Sequence, residues 1–251
     1  MIRLDGATFL LQWAVGGLAF LWVTNRRREV GVGYGWLLRG VFGALATASV
    51  VLGFALGWVP VREVAAIGVV VATAVALAVS GVRRATPERI PTSMDLVAPA
   101  IGVVGLVAAG VDAGSPVWLS VLRTLVGAAF LGIVSDAMLL GHWYLVQPGL
   151  PRRPLLELVR LATVVLPIEV AVMLIPTGMV SVLDGSVDDQ YGGILGWMWV
   201  ACAVTTGALL LVTRAALRER QYAAVMAATG LLYLAILTAF GTDLVARAVL
   251  A

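Results

Sequence analysis

Long apolar runs separated by short polar turns make up almost the whole sequence. The runs reach the length of about 18–25 residues that a helix needs to cross roughly 30 Å of hydrocarbon. We therefore predict an all-α integral membrane protein with eight transmembrane helices. The predicted spans cover residues 7–24, 37–57, 63–80, 96–111, 117–146, 155–175, 192–213 and 221–246. Since every turn is short, we treat residues 1–251 as one membrane domain without a soluble domain.

Charge alternates from one turn to the next. The turns after spans one, three, five and seven each hold several arginines, among them Arg26, Arg27, Arg28, Arg83, Arg84, Arg152 and Arg153. The other three turns contain a single arginine and the acids Glu63, Asp112, Asp184, Asp188 and Asp189. Because cytoplasmic loops of membrane proteins are enriched in basic residues, this alternation predicts that the arginine-rich turns lie inside and both termini outside.

The eight spans divide evenly into four plus four near residue 114. An even number of spans per half gives both halves the same orientation, as in a parallel duplication of residues 1–114 and 115–251. Two segments have similar patterns: FLWVTNRRREVGVGYGWLLR and HWYLVQPGLPRRPLLELVR. In each, a span ends with aromatic residues, an arginine-containing turn follows, and the next span begins with leucines and an arginine. Topology alone could produce that likeness, so the duplication is a hypothesis at this point.

Composition limits the chemistry that the chain can carry. Its 251 residues are 61% hydrophobic and 12% charged, with a mean hydropathy of +1.01, which leaves too few charges to cover a soluble protein. All 17 basic residues are arginine, which excludes a lysine Schiff base, and the net charge of +3 does not indicate a nucleic-acid partner. The single Cys202 and the single His142 exclude an internal disulfide, a bis-histidine haem and a clustered metal site. We expect no covalently bound cofactor, and residence in the bilayer of a prokaryotic plasma membrane.

Ionisable side chains inside apolar spans are costly to bury and are candidates for function. Asp136 lies about 15 Å from the predicted inner face, near the middle of the bilayer. Glu169 follows Pro167 in the outer half of span six, where a proline can bend the helix beside an acid. Arg123 and Asp243 both lie near the outer ends of their spans, and we predict that they form a structural ion pair. The alternative for Asp136 and Glu169 is a buried acid that only fixes helix packing.

His142 belongs to the sequence GHWY near the predicted cytoplasmic end of span five. Imidazole titrates near neutral pH, and neighbouring aromatic rings can stack on a quinone head group. We therefore predict a quinone or ligand site, or a proton relay, formed by His142, Trp143, Tyr144, Asp136, Glu169 and Ser135. Residues seven positions apart share a helix face, which relates Ser135 to His142 and Asp136 to Trp143. The alternative is an ordinary aromatic belt at the membrane interface.

Two loop motifs indicate weaker sites. GVGYG, residues 31–35, follows three arginines, and we expect a flexible basic turn that contacts lipid phosphates rather than a dinucleotide site. Asp184, Asp188 and Asp189 lie in the longest turn, where we expect a solvated loop, with a cation site as the alternative.

Two functions fit these patterns better than a third. The first is a membrane subunit of a respiratory or redox complex that meets quinone near the cytoplasmic interface through His142. The second is a proton-coupled secondary transporter or small permease that uses the intramembrane acids Asp136 and Glu169. A stand-alone enzyme fits least, because the sequence shows no nucleophile–base pair or metal signature. The aromatic and basic setting of His142 favours the redox subunit at this stage.

Overall fold

The structure is a computed structural model that describes residues 5–87, 90–175 and 178–250. In that part of the chain there are helices and no strand. The α-helices are α1 (Gly6–Asn25), α2 (Val32–Leu56), α3 (Pro60–Val82), α4 (Val97–Asp112), α5 (Val117–Val146), α6 (Arg153–Leu174), α7 (Gly178–Leu183), α8 (Ile194–Ala216) and α9 (Tyr222–Val249). A 3-10 helix, Thr92–Leu96, leads into α4. The predicted spans correspond to these helices except α7, which is a single short helix between α6 and α8.

Local sequence determines where several helices begin. The Asp5 carboxylate accepts hydrogen bonds from the backbone N–H groups of Ala7 at 3.2 Å and Thr8 at 3.3 Å, and so caps α1. α3 begins at Pro60, whose missing N–H is not needed in the first turn of a helix. Pro154 takes a first-turn position in α6 in the same way.

α2 begins earlier than the sequence predicted. We expected a flexible turn over GVGYG, but α2 starts at Val32, so most of this motif is helical. The first turn of α2 packs closely against α5, and glycine at residue 33 permits this packing. A Cβ atom on Gly33 would lie 3.0 Å from the Trp143 ring. A Cβ atom on Gly35 would lie 2.9 Å from Arg39 Nη1. The prediction of a flexible turn was therefore wrong, since the glycines serve close packing.

Seven helical segments of the described chain are long and apolar enough to cross a membrane: α1, α2, α3, Thr92–Asp112, α5, α8 and α9. Large apolar side chains point away from the bundle, and Val204 is 67% exposed and Leu237 68% exposed. An apolar surface of this extent requires lipid around it, so the chain is a multi-pass integral membrane protein. α6 is 22 residues long but more polar, because it contains both acids and arginines.

The long helices pack as two rings of four. α1, α2, α3 and α4 contact one another in chain order, and α4 returns to α1. α5, α6, α8 and α9 repeat this order, and α9 returns to α5. The rings meet along α5, which packs on α1 and α4. A Cβ atom on Gly16 would lie 1.8 Å from the Ala128 carbonyl oxygen, so only glycine permits the close approach of α1 and α5.

The turns after α1, α3, α5 and α8 meet at one end of the bundle, which we call the arginine-rich end. Arg28 joins the first turn to the second by donating to the carbonyl oxygens of Pro87 and Ile90, both at 2.9 Å. Arg152 joins the third to the fourth by donating to the Gln221 carbonyl oxygen at 2.8 Å. We call the opposite end, with the start of α1 and the turns after α2 and α4, the arginine-poor end.

α6 runs along the bundle from one end to the other. Its first turns are tied to the arginine-rich end, since Glu157 pairs with Arg26 and with Arg27, the latter at 3.2 Å. Arg153 adds a pair with Glu29 at 3.6 Å. The last carbonyl groups of α6 lie beside the first turns of α5. α6 is therefore antiparallel to α5 over about 33 Å.

Candidate functional site

Buried polar side chains from four helices meet in the half of the bundle nearer the arginine-poor end. We call them the buried polar network: Gln12 on α1, Arg123 on α5, Glu169 on α6, and Asp243 and Arg247 on α9. Each of them is at most 2% exposed. Charged groups are costly to bury unless they are paired or hydrogen-bonded, so the contacts within the network determine what it can do.

Gln12, Asp243 and Arg247 form a closed triangle of hydrogen bonds. Arg247 Nε donates to Asp243 Oδ2 at 2.7 Å, and Arg247 Nη2 donates to Gln12 Oε1 at 2.6 Å. The Gln12 amide returns a hydrogen bond to Asp243 Oδ1 at 3.4 Å. Asp243 and Arg247 are one helical turn apart, which brings both side chains to the same face of α9. The ion pair is thus local to α9, while Gln12 links it to α1.

Arg123 does not form the ion pair that the sequence predicted. Its Nε donates to the Val172 carbonyl oxygen at 2.9 Å, and its Nη2 donates to the Ile175 carbonyl oxygen at 2.5 Å. α6 ends between these two residues, and the last carbonyl groups of a helix lack partners within it. Asp243 instead pairs with Arg247, because that arginine is one turn away on the same helix. Arg123 therefore belongs to the network as a cap for α6.

Glu169 is the carboxylate of the network to which neither arginine donates a hydrogen bond. No N–H or O–H group of the described residues donates a hydrogen bond to either carboxylate oxygen, and the Asp243 carboxylate lies within side-chain hydrogen-bonding reach of it. Asp243, Arg247 and Arg123 act on it electrostatically. The network contains two carboxylates and two guanidiniums, and Glu169 is the carboxylate without a directly bonded guanidinium.

A glycine on α5 makes room for the network. A Cβ atom on Gly127 would lie 2.4 Å from Gln12 Nε2 and 2.7 Å from Asp243 Oδ1. Real Cβ atoms do not approach polar atoms that closely, so a larger residue would push the triangle apart. The absence of a side chain at this position is part of how the site is built.

The network borders a cavity of about 450 Å³ at the arginine-poor end. Thr124 of α5 and Arg247 of α9 line this cavity, together with Asp5, Arg62 and Asp112 from the first ring of helices. Arg247 thus belongs both to the network and to the cavity wall. Pockets with a few convergent polar groups are typical of small-molecule sites.

Arg62 holds the opposite side of this cavity together. It is 2% exposed and donates from Nε to Glu63 Oε1 at 2.8 Å and from Nη2 to the Gly57 carbonyl oxygen at 2.6 Å. Its Nη1 donates to Asp5 and, at 3.0 Å, to the Thr8 hydroxyl. The guanidinium therefore fixes the turn after α2 to the start of α1.

Asp136 lies apart from the network. It is fully buried on α5, and neither carboxylate oxygen has a hydrogen-bond partner in the described ranges. The Tyr34 hydroxyl donates at 3.3 Å to the backbone carbonyl of Asp136, not to its side chain. The neighbouring Ser135 accepts a hydrogen bond from Trp13 Nε1 at 2.7 Å. Asp136 is thus a buried acid surrounded by packed helices.

The residues of the GHWY motif point in different directions. His142 lies on the outer surface, where its Nδ1 is 3.1 Å from the Tyr233 hydroxyl of α9. Trp143 Nε1 donates to Gln147 Oε1 at 3.2 Å. The Tyr144 hydroxyl donates to the Pro151 carbonyl oxygen in the turn that follows α5. The structure therefore brings His142 to Tyr233 and separates it from the buried acids Asp136 and Glu169.

Sequence reasoning missed two arginines of this site. Arg62 and Arg247 each stand one residue outside the predicted spans 63–80 and 221–246, so neither was considered among the ionisable groups inside spans. α3 begins before Arg62 and α9 continues past Arg247, and both side chains are turned inward. Gln12 was missed because a neutral amide in a span carries no charge signal.

The acidic turn between α7 and α8 is held by its own hydrogen bonds. Asp189 accepts bonds from the backbone N–H groups of Gly193 and Leu195, both at 2.8 Å. The Gly193 amide makes the largest contribution to lowering the pKa of Asp189 below its ordinary value. The Ser186 side chain and amide lower the pKa of Asp184 in the same way. No cluster of three potential metal ligands occurs in the part of the chain that the structure describes.

No protein-family model matches the chain, and neither a curated protein nor a solved structure matches it. The geometry described above is therefore the basis for any functional assignment.

Proposed function

We propose that the protein is a proton-coupled carrier of a small polar solute. The proposal depends on Glu169, a fully buried carboxylate that receives no hydrogen bond from an N–H or O–H group of the described residues. It belongs to a network that shares Arg247 with a polar cavity. Intramembrane acids of this kind are typical of proton relays in transporters. The geometry supports this hypothesis better than the redox subunit, because His142 has no contact with Asp136 or Glu169.

The proposal includes eight membrane crossings with the arginine-rich end in the cytoplasm and both termini outside. Two observations support it: α6 extends between the two ends of the bundle, and the basic turns are joined at one end. Basic residues are retained on the cytoplasmic side of membrane proteins. We propose a prokaryotic plasma membrane as the location.

The two rings of helices support a parallel duplication of residues 1–114 and 115–251. α1, α2, α3 and α4 correspond to α5, α6, α8 and α9, and each set makes its contacts in the same order. Many carriers are built from such repeats, with the binding site where the repeats meet. The buried polar network has this position, since Gln12 comes from one half and its partners from the other.

Asp136 is proposed as a second proton-binding group. It lies nine residues beyond Gly127, or about 14 Å along α5. The close contact of Gly16 with Gly132 lies between the network and Asp136. Solute and proton movement would require α1 and α5 to shift at this contact, so that the two acids are exposed to opposite ends in turn.

Proteoliposomes that contain the purified full chain and the trapped dye pyranine test the proposal. A pH step is imposed with the membrane potential clamped by valinomycin and potassium, and a mixture of amino acids and sugars is present on both sides. We expect the chain to collapse the gradient about tenfold faster than protein-free vesicles do. Glu169→Gln and Asp136→Asn should each remove most of this flux.

Matched substitutions at exposed acids provide the controls. Glu219→Gln and Asp188→Asn make the same chemical changes outside the bundle and should leave the flux unchanged. The proposal is wrong if the protein adds no flux, or if Glu169→Gln behaves like Glu219→Gln.

Cysteine labelling tests the topology. In a Cys202→Ser background, an impermeant maleimide should reach Ser186→Cys in intact cells but reach Pro148→Cys and Glu219→Cys only after permeabilisation. Labelling of Ser186→Cys and Pro148→Cys from the same side would show that α6 does not cross the bilayer.

A second candidate function is the interaction with quinone, within a complex whose other subunits carry the redox cofactors. The observation that favours it is the hydrogen-bonded pair of His142 and Tyr233 on the outer surface of the bundle. A lipid-soluble quinone would reach this pair directly from the bilayer. We expect a photoreactive quinone to label α5 and α9 near the pair, and His142→Ala to weaken labelling. Unchanged labelling in His142→Ala, in a protein that purifies alone, would exclude the redox subunit.

A further inference from the structure

A second cavity of about 450 Å³ lies at the arginine-rich end, between the turns that follow α1 and α3. Its wall is largely apolar and includes Val30, Val32, Pro87 and Ile90. It shares no described lining residue with the cavity beside the buried polar network. The proposed transport pathway therefore leaves this cavity without a role.

A buried ion pair lies at the inner side of this cavity. Arg39 is 4% exposed and donates from Nε at 3.1 Å and from Nη2 at 2.6 Å to Asp95 Oδ1. Asn25 donates to Asp95 Oδ2 at 3.0 Å. Arg39 Nη1 makes a longer contact of 3.4 Å with the Ser80 hydroxyl. Both oxygens of Asp95 are thus used, and the guanidinium of Arg39 is held in place.

Arg39 retains donors that these contacts do not use. A guanidinium has five N–H groups, and the contacts above occupy three of them, which leaves one each on Nη1 and Nη2. Gly35 lines the cavity beside them, and a Cβ atom there would lie 2.9 Å from Nη1. The lack of a side chain at residue 35 therefore leaves space next to an unused donor of a buried arginine.

The charge of the described lining residues is positive. Arg28 and Arg39 line the cavity, and Asp95 is the one acid among the described lining residues. Arg28 uses one N–H on each Nη atom to hold the Pro87 and Ile90 carbonyls, and its other N–H groups stay available. The described lining residues thus combine hydrogen-bond donors and one net positive charge with an apolar wall.

We propose that this cavity binds an anionic amphiphile, a molecule with one oxyanion head group on an apolar body. The head group accepts hydrogen bonds from Arg39 and Arg28, and the apolar body contacts Val30, Val32 and Ile90. Basic pockets between helices near the cytoplasmic surface are suited to lipid head groups. The same chemistry is offered by an acidic phospholipid from the bilayer and by a soluble carboxylate with an alkyl chain.

Native mass spectrometry of the full chain in an uncharged detergent tests this site. The protein is titrated with phosphatidylglycerol, with decanoate, and with phosphatidylcholine as the neutral reference. We expect one or both anionic ligands to bind about tenfold more tightly than phosphatidylcholine. Arg28→Gln removes a positive charge and Val32→Trp fills the cavity, and each should weaken anionic binding about tenfold. Phosphatidylglycerol binding alone identifies a lipid, and decanoate binding alone identifies a soluble amphiphile.

Arg152→Gln is the matched control. Arg152 also joins two turns of the arginine-rich end through backbone carbonyls, but it does not line the cavity. Its substitution should leave binding unchanged. An equal loss in Arg152→Gln and Arg28→Gln would mean general attraction of anions to this end and would overturn the site, as would equal affinity for all three ligands. If circular dichroism shows that Val32→Trp does not fold, the comparison of the two arginine variants decides the question.

Discussion

Two fully buried aspartates of the same bundle have opposite surroundings. Asp243 accepts hydrogen bonds from Arg247 and Gln12, whereas neither carboxylate oxygen of Asp136 has a described partner. Both side chains are 0% exposed. Burial therefore does not separate an acid that stabilises the fold from one that costs it stability. The identity of the partners makes that distinction.

The difference in partners indicates a structural role for Asp243 and a functional role for Asp136. A paired carboxylate such as Asp243 is accounted for by structure, because removing it would leave its arginine unpaired. A buried carboxylate without a partner lowers stability, and its presence calls for another explanation. Neither Asp136 nor Glu169 receives a hydrogen bond from a donor of the described residues, which is why the proposed function depends on them.

The same substitution at the two aspartates should change stability in opposite directions, and the larger effect is expected at Asp243. Asp243→Ala leaves Arg247 buried without its ion-pair partner and should lower the free energy of unfolding by about 3–5 kcal/mol. Denaturation in mixed micelles measures this change. The double variant Asp243→Ala with Arg247→Leu should recover most of the loss, because it removes both charges. Similar stability of the single and double variants would show that the unpaired Arg247 is not the cause of the loss in Asp243→Ala.

Asp136→Ala should make the protein more stable. The substitution removes two buried oxygens that lack hydrogen bonds to any described residue, and such groups cost about 1–3 kcal/mol each to bury. We expect a higher free energy of unfolding in mixed micelles together with loss of proton flux. A loss of stability would mean that Asp136 has a structural partner and would remove its contrast with Asp243.

The space beside Asp243 gives a third test of the comparison. Gly127→Ala places a methyl group against Gln12 and Asp243 and should cost about 1–3 kcal/mol through steric displacement of the triangle. Gly230→Ala is the control, since a Cβ atom on Gly230 of α9 would have nothing within 4 Å. That control should be neutral or slightly stabilising because alanine favours helix. Equal effects at both positions would show that the triangle is not tightly packed.

The helices were predictable because their signals are local. The predicted span 117–146 has the same limits as α5, and most other boundaries differ by a few residues. The start of α2 differs most, because the glycines of GVGYG were taken as a turn signal although their neighbours include Trp143 of α5 and Asn25 of α1. Apolar length and the charge of turns can be read along the chain, whereas the contacts of a glycine cannot.

The candidate site was only partly predictable because its contacts are non-local. Glu169, Arg123 and Asp243 were singled out by their charge within spans, and they do lie in one network. Their partners depend on which helices meet, so the pairing of Asp243 with Arg247 replaced the expected pair with Arg123. Spacing placed Ser135 and His142 on one face of α5, but α1 contacts that face at Ser135 and α9 contacts it at His142.

A third aspartate, outside the bundle, completes the comparison. Asp189 accepts hydrogen bonds from the amides of Gly193, Leu195 and Tyr191, so it is paired without a buried cation. These bonds, with Gly193 first, lower its pKa in the folded chain below the ordinary value of 3.8. A carboxylate with a lowered pKa stabilises the fold at pH values above its ordinary pKa of 3.8. This stabilisation is lost as the pH falls through the lowered pKa of the folded chain.

The start of α8 should therefore loosen in acid. Hydrogen–deuterium exchange at Gly193 and Leu195, corrected for intrinsic rates, should be protected above pH 3.8 and become faster at lower pH. Asp189→Asn should remove this pH dependence, because the amide side chain does not titrate. Asp188→Asn should retain it, since Asp188 bonds to the Gln190 amide instead. Constant protection of Gly193 down to the lowest pH would show that the carboxylate of Asp189 does not hold the start of α8.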